Sequence, residues 1–108
     1  MSLKRGDIYW VNLDPTVGSE IRKKRPCVLI GATPINDARK TVLVLPLSSV
    51  GMPRPPLAIQ VECLGRKVVA VCDQLRAIDK SRLQEKAGTL NTGDLKKIED
   101  GLRQILSL

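Results

Sequence analysis

Apolar positions fall in short strand-length runs along the first three quarters of this chain, and the period changes after residue 90. The first run, Ile8–Leu13, holds the strand formers Tyr9, Trp10 and Val11 and is largely apolar on both faces. That pattern predicts a strand in the interior of a sheet. A second run, Cys27–Ile30, is opened by Pro26, where a missing N–H does least harm. Thr41–Leu47 is a third strand, broken near its end by Pro46. Leu57–Glu62 alternates, with Leu57, Ile59 and Val61 on one face and Gln60 and Glu62 on the other, as a half-buried strand requires. After a turn at Gly65–Lys67, the unbroken apolar run Val68–Cys72 predicts a buried strand, and Leu75–Ile78 continues the sheet. The intervals carry turn chemistry at Asp14–Thr16, a loop or short helical turn over Thr33–Lys40, a proline-dense extended loop over Val50–Pro56, and a short helix starting at Asp79–Arg82.

From Asn91 onward the period is helical. Asn91 is an N-cap candidate, and Asp94 in the first turn complements the helix dipole. Leu95, Ile98, Leu102, Ile105 and Leu106 then form one apolar stripe, opposite a solvated face of Lys96, Lys97, Asp100 and Arg103. About six short strands and a closing helix predict a mainly β fold with a C-terminal helix. The sheet should be antiparallel and strongly bent, an open barrel with the helix over one side. Nothing divides residues 1–108, so a single domain is expected.

Charge moves the question from fold to partner. Eighteen Lys and Arg against 11 Asp and Glu give a net charge of +7, which points to nucleic acid, an acidic protein or an anionic surface. Part of that charge is clustered in Gly18–Pro26, where Arg22, Lys23, Lys24 and Arg25 follow Glu20. A basic loop springing from rigid strands suits a polyanion better than an apolar ligand. The only aromatics are Tyr9 and Trp10, so the core is aliphatic and base stacking is limited to those rings or to arginine planes. Trp10 could stack a base, but on a central strand it reads first as a core residue.

Cys27, Cys63 and Cys72 are odd in number and lack Cys-x-x-Cys spacing. They read as free thiols, which suits a reducing cytoplasm. The chain has no His, which excludes a His-based triad, a His-metal site and a paired-His ribonuclease mechanism. With no cysteine cluster either, no metal or cofactor is expected. No apolar signal core or run of membrane-span length occurs.

RNA cleavage is still feasible with carboxylates, arginines and hydroxyls. The 2′-hydroxyl is an internal nucleophile beside its phosphate, so proximity is already supplied. The protein must accept one proton and stabilise charge on the phosphorane oxygens. Glu20 is a candidate base or an organiser of Arg25, against the plainer reading of a loop carboxylate paired loosely with Arg22 or Lys24. Arg25 precedes Pro26 and is biased to an extended backbone, which directs its planar fork toward phosphate; a surface arginine in a basic run is the plainer alternative. Ser48 and Ser49 could donate hydroxyls or merely cap a turn. Asp73 could be an oriented carboxylate or a structural partner of Arg76.

The run Arg5-Gly-Asp-Ile-Tyr-Trp-Val-Asn-Leu-Asp-Pro-Thr-Val-Gly-Ser-Glu20, followed by Arg25-Pro26, resembles the opening of MazF/PemK toxins. Leu45-Pro46-Leu47-Ser48-Ser49, Cys72-Asp73-Gln74 and the segment Arg76 to Leu83 extend the likeness over nearly the whole chain. The resemblance implies an SH3-like barrel with a C-terminal helix, usually a homodimer. It implies a metal-independent endoribonuclease that cuts single-stranded RNA at short sequences, leaving a 2′,3′-cyclic phosphate and a 5′-hydroxyl. It also implies a cognate antitoxin whose acidic or apolar tail blocks the RNA groove.

Carried over by position, Arg25, Ser48 and Glu20 match catalytic positions of the family, the second commonly Thr. Arg22, Lys23, Lys24, Ser49, Asp73 and Gln74 are the accompanying RNA-binding candidates. Some PemK-like members place an Arg two residues before the acid that Asp73 matches. Here that residue is Val71, so the sequence resembles the branch that relies on Arg25 and the strand-three hydroxyl. Two other functions fit such a fold. A CcdB-like gyrase inhibitor acts largely through a C-terminal aromatic, and this chain ends Ile105-Leu106-Ser107-Leu108. An inactive nucleic-acid-binding module would have no need of the intact Arg25 and Ser48.

Overall fold

Strand β1 (Asp7–Asn12) is apolar on both faces and is covered on both. The computed structural model, which describes residues 2–108, puts Ile8 in one apolar cluster and Tyr9 and Val11 in another. β1 lies inside the sheet, between β2 (Lys24–Leu29) and β7 (Leu83–Thr89), as its two apolar faces require. The full order is β4 (Ala58–Cys63), β5 (Arg66–Val71), β3 (Thr41–Ser48), β2, β1, β7, with β6 (Arg76–Asp79) also on β3. Every strand pair is antiparallel.

β3 is the pivot. One of its edges pairs residues 44–46 with Cys27–Leu29 of β2. The other edge pairs Thr41–Val44 with β6 and Leu47–Ser48 with β5. Pro46 stands where β3 leaves β2, at a point where a missing N–H removes little from the ladder. Sharing one strand between two partners bends the sheet into an open, curled half-barrel. One face packs Tyr9, Val11, Cys27, Leu29, Val42, Val44 and Ile78 together. The opposite face packs Ile8, Val28, Leu45, Leu47, Ile59 and Val61 against Ile98 and Leu102 of helix α2 (Thr92–Leu106).

Asn91 caps α2, its side chain accepting from the Asp94 N–H at 2.7 Å. Asp94 then ties the helix to the sheet: its carboxylate accepts the Glu62 N–H at 2.9 Å and the Asn91 amide at 3.0 Å, and pairs with Lys97 at 3.2 Å. Burial works to raise its pKa, but the Glu62 N–H, Lys97 and Asn91 outweigh it and hold the carboxyl below its ordinary value. A carboxyl whose folded pKa is depressed contributes stability above its unfolded pKa and loses it as pH falls through the folded one. Asp94→Asn should therefore be about 1–2 kcal/mol less stable than wild type at neutral pH. That gap should close as the medium is acidified below the ordinary carboxylate range. Thermal melts of both proteins across pH check it; a gap that persists in acid would assign the loss to shape rather than charge.

The structure departs from the sequence reading at several elements. β2 starts at Lys24, two residues before the Pro26 expected to open it, so Lys24 and Arg25 belong to the strand instead of the loop. Over Thr33–Lys40 the helical of the two alternatives holds: Thr33–Ala38 is a short helix, α1, with Pro34 in its first turn. Cys72–Gln74 is a single 3-10 turn before β6, and a second, Lys80–Arg82, follows β6 where a short helix is expected from Asp79. Leu83–Thr89, which carries no alternating pattern, is a strand on the edge of β1.

Candidate functional site

The basic loop, residues 13–23, rests on the β1–β2 ladder, which pairs Asn12 with Lys24, Val11 with Arg25 and Trp10 with Pro26. The loop is not a free arm. The Glu20 carboxylate accepts the Val17 N–H at 2.6 Å, and the Glu20 N–H donates back to the Val17 carbonyl at 3.3 Å. The Gln74 amide clasps the next stretch from outside: its Oε1 accepts the Ile21 N–H at 2.7 Å and its Nε2 donates to the Ser19 carbonyl at 3.5 Å. A side chain expected to meet RNA is thus engaged in fastening the loop to the 3-10 turn after β5.

Losing the clasp should raise the population of the open loop by about tenfold, at roughly 1 kcal/mol per net hydrogen bond. Gln74→Ala should accordingly be cut faster by trypsin at Arg22, Lys23 and Lys24. A wild-type rate of cleavage in the variant would show that the loop holds its shape without Gln74.

The candidate residues fall into three places, of which the second and third share Ser49. Glu20, Asp73 and Gln74 line one cavity of about 310 Å³, together with Ser19 and Arg76. Lys24, Arg25 and Ser49 border a second of about 200 Å³, with Trp10, Leu64 and Arg66. Ser48 is buried and lines a small third cavity of about 60 Å³ with Ser49, Gln60 and Lys67. Its hydroxyl donates to the Val50 carbonyl at 2.8 Å and accepts the Val50 N–H at 3.3 Å. The β2–β3 ladder ends at Cys27 and Pro46, two residues short of Arg25 on one strand and of Ser48 on the other, where β3 turns from β2 to β5. Arg22 and Lys23 stand exposed on the loop.

Among the described residues no carboxylate pairs with Arg22, Lys23 or Arg25. Glu20 answers its own loop rather than Arg25, and Asp73 shares a cavity with Arg76 without an ion pair. Arg25 is half-buried, its Nε donating to the Arg22 carbonyl at 3.3 Å. That bond aims the guanidinium and leaves its terminal nitrogens for an anion. Lys24 pairs with Glu85 at 3.1 Å and stands 5.6 Å from the Trp10 ring centre.

The three free cysteines, Cys27, Cys63 and Cys72, are all buried. Burial pushes the Cys27 thiol up to about 12, against the pull of Arg76, and burial together with Asp73 takes Cys72 to about 11. Among the described residues no three His, Cys, Asp or Glu side chains gather as a metal would need, and no helix is long and apolar enough to cross a membrane.

Sequence reasoning names Trp10 as a possible stacking ring and Arg76 as a possible partner of Asp73, but gives no place in the site to Leu64 and Arg66 at the β4–β5 hairpin tip. The pair Arg66-Lys67 was a usable charge signal. Leu64 became visible only when distant strands met.

Comparison with known proteins bears on family and fold. The family model described as PemK-like, MazF-like toxin of type II toxin–antitoxin system matches residues 4–106. Endoribonuclease EndoA of Bacillus subtilis (strain 168) is 30% identical over 113 residues, spanning 100% of this chain and 97% of that protein. A crystal structure of MazF from Deinococcus radiodurans superposes with a TM-score of 0.89 at 22% identity, covering 100% of this chain and 99% of that one. An endoribonuclease from mycobacterial species, solved in complex with its cognate antitoxin, gives a TM-score of 0.81 at 17% identity over 97% of this chain and 95% of that one.

Proposed function

The chain belongs to the PemK-like, MazF-like toxin family of type II toxin–antitoxin systems, and from that premise we propose that it is a metal-independent, sequence-specific endoribonuclease acting on single-stranded RNA in the cytoplasm. The observation that carries this reading is Arg25: a half-buried guanidinium aimed by the Arg22 carbonyl, facing no carboxylate among the described residues, beside the loop cations and two residues past the same end of the β2–β3 ladder as Ser48.

In the proposed step the 2′-oxygen attacks the adjacent phosphorus and the bond from phosphorus to the 5′-oxygen breaks. The 2′-proton passes to a base, for which Glu20 is the candidate. The 5′-oxygen leaves with a proton from water. Arg25 stabilises the charge that grows on the non-bridging oxygens. Ser48 adds a donor by turning its hydroxyl from the Val50 carbonyl. The products are a 2′,3′-cyclic phosphate and a 5′-hydroxyl.

The same cationic surface suits a cognate antitoxin with an acidic or apolar tail, as relatives solved with antitoxins suggest. We extend to this chain the homodimer usual in the family.

A gel assay on labelled single-stranded RNA tests the reading. Wild type should cut, and Ser48→Ala should lower turnover about tenfold or more with RNA affinity little changed. Equal losses in both would make Ser48 a binding contact, and wild-type protein that leaves RNA whole would overturn the function.

A further inference from the structure

Trp10 sits in the middle of a central strand, yet it is only half-buried while Ile8, Tyr9 and Val11 around it are enclosed. What it lacks is a neighbour on one side, where the cavity of about 200 Å³ opens. Leu47, Cys63 and Val68 supply apolar surface to this cavity and Leu64 forms its outer wall.

Leu64 is an unusual choice for its place. It is 60% exposed and has a φ of 54°, followed by Gly65 at 74°. A two-residue hairpin turn with both φ values positive normally takes Asn-Gly, and a leucine there is conformationally unfavourable. The position therefore presents an apolar side chain to the outside at a backbone cost, beside an open slot.

The rim of the slot is cationic. Lys24, Arg25 and Arg66 border it, and Lys24 lies over the indole. A flat apolar ligand joined to an anion fits this combination: the ring system against Trp10 and Leu64, and the anion along the rim. The volume suits one ring system rather than a whole nucleotide. Ser49, also on the wall, offers a hydroxyl to a polar ring edge.

We propose that this cavity is a specificity pocket that holds one unpaired nucleobase of the RNA next to the phosphate at Arg25. The inference rests on the RNA-cleaving reading above and adds where the sequence of the RNA is read. Unstacked bases in single strands are recognised in this way, by stacking on a ring and hydrogen bonds at the base edge.

Trp10 is the chain's one tryptophan, so its fluorescence reports the pocket alone. The probes are a mixed-sequence 2′-O-methyl RNA oligomer, which cannot be cut because its nucleophile is blocked, and an abasic oligomer of equal length and charge. End-labelled anisotropy measures affinity, and Trp10 emission measures occupancy. The base-bearing oligomer should quench Trp10 and bind about tenfold or more tightly than the abasic one. Leu64→Gly suits the left-handed backbone, so it should keep the wild-type melting temperature or raise it while removing most of that advantage.

Equal affinities without quenching, or a Leu64→Gly variant with the full advantage retained, would overturn the pocket. Quenching by an acidic apolar peptide but not by RNA would also overturn it and make the cavity a protein-docking site. These readouts need no cleavage. Failure of the ribonuclease reading shows separately, as unmodified RNA left whole by wild-type protein.

Discussion

Replacing Arg25 by alanine should lower the rate of RNA cleavage by about a hundred- to a thousandfold and leave the fold standing. The magnitude is that of removing one preorganised donor from a transition state that accumulates negative charge. The arginine is suited to this because its Nε is already tied to the Arg22 carbonyl, so little reorganisation is needed when charge develops. Its removal should hardly touch stability, because the side chain is only half-buried and pairs with no carboxylate among the described residues. Changes at such sites usually stay within about 0.5 kcal/mol. Single-turnover cleavage and a thermal melt of the same preparation separate the two effects. Arg25→Lys should recover only part of the rate, since it restores the charge without the planar fork. A variant Arg25→Ala that cuts at the wild-type rate would remove Arg25 from the mechanism.

Leu45→Ala should damage the protein in the opposite way, through the scaffold. Leu45 is fully buried on β3, the strand shared by β2, β5 and β6, and packs in the cluster beneath α2. Emptying that position should cost about 2–5 kcal/mol, which in a domain of this size lowers the melting temperature by roughly 10–30 °C. Leu43, two residues earlier on the same strand, is 42% exposed, and Leu43→Ala should cost less than about 1 kcal/mol. Calorimetry on the two variants compares chemically identical truncations that differ only in burial. Similar losses from both would mean that the burial of β3 does not govern stability.

The parts of this fold that were legible in the sequence are those where local pattern and tertiary burial coincide. β1 reads as central because both of its faces are apolar, and both are indeed covered by separate clusters. α2 reads from its stripe and from Asn91, and the cap bond is present. β7 was not legible. Its residues are mostly exposed, so no alternation marks it, and its pairing with β1 is interrupted by two register shifts. What makes it a strand is the free edge of β1, which lies elsewhere in the chain. Lys24 and Arg25 read as loop because of their charge, although backbone pairing with Asn12 and Val11 places them in β2.

The site divides in the same manner. Residue types and the family likeness singled out Arg25, Glu20 and Ser48 as candidates, but not their surroundings. Nothing local in Gln74 marks it as a clasp for Ile21 and Ser19, because its partners are more than fifty residues away in the chain. Trp10 fits a core expectation on strand propensity, and only the arrangement of the β4–β5 hairpin leaves its flank open.

The central claim is metal-free cleavage of RNA by an arginine-centred site. Its most direct test is to incubate the purified protein with a long mixed-sequence RNA in EDTA and to analyse the ends of the products. The account predicts discrete fragments carrying 5′-hydroxyl and 2′,3′-cyclic phosphate ends, and no fragments from Arg25→Ala. Intact RNA, cleavage that returns only when a divalent cation is added, or 5′-phosphate ends would contradict it.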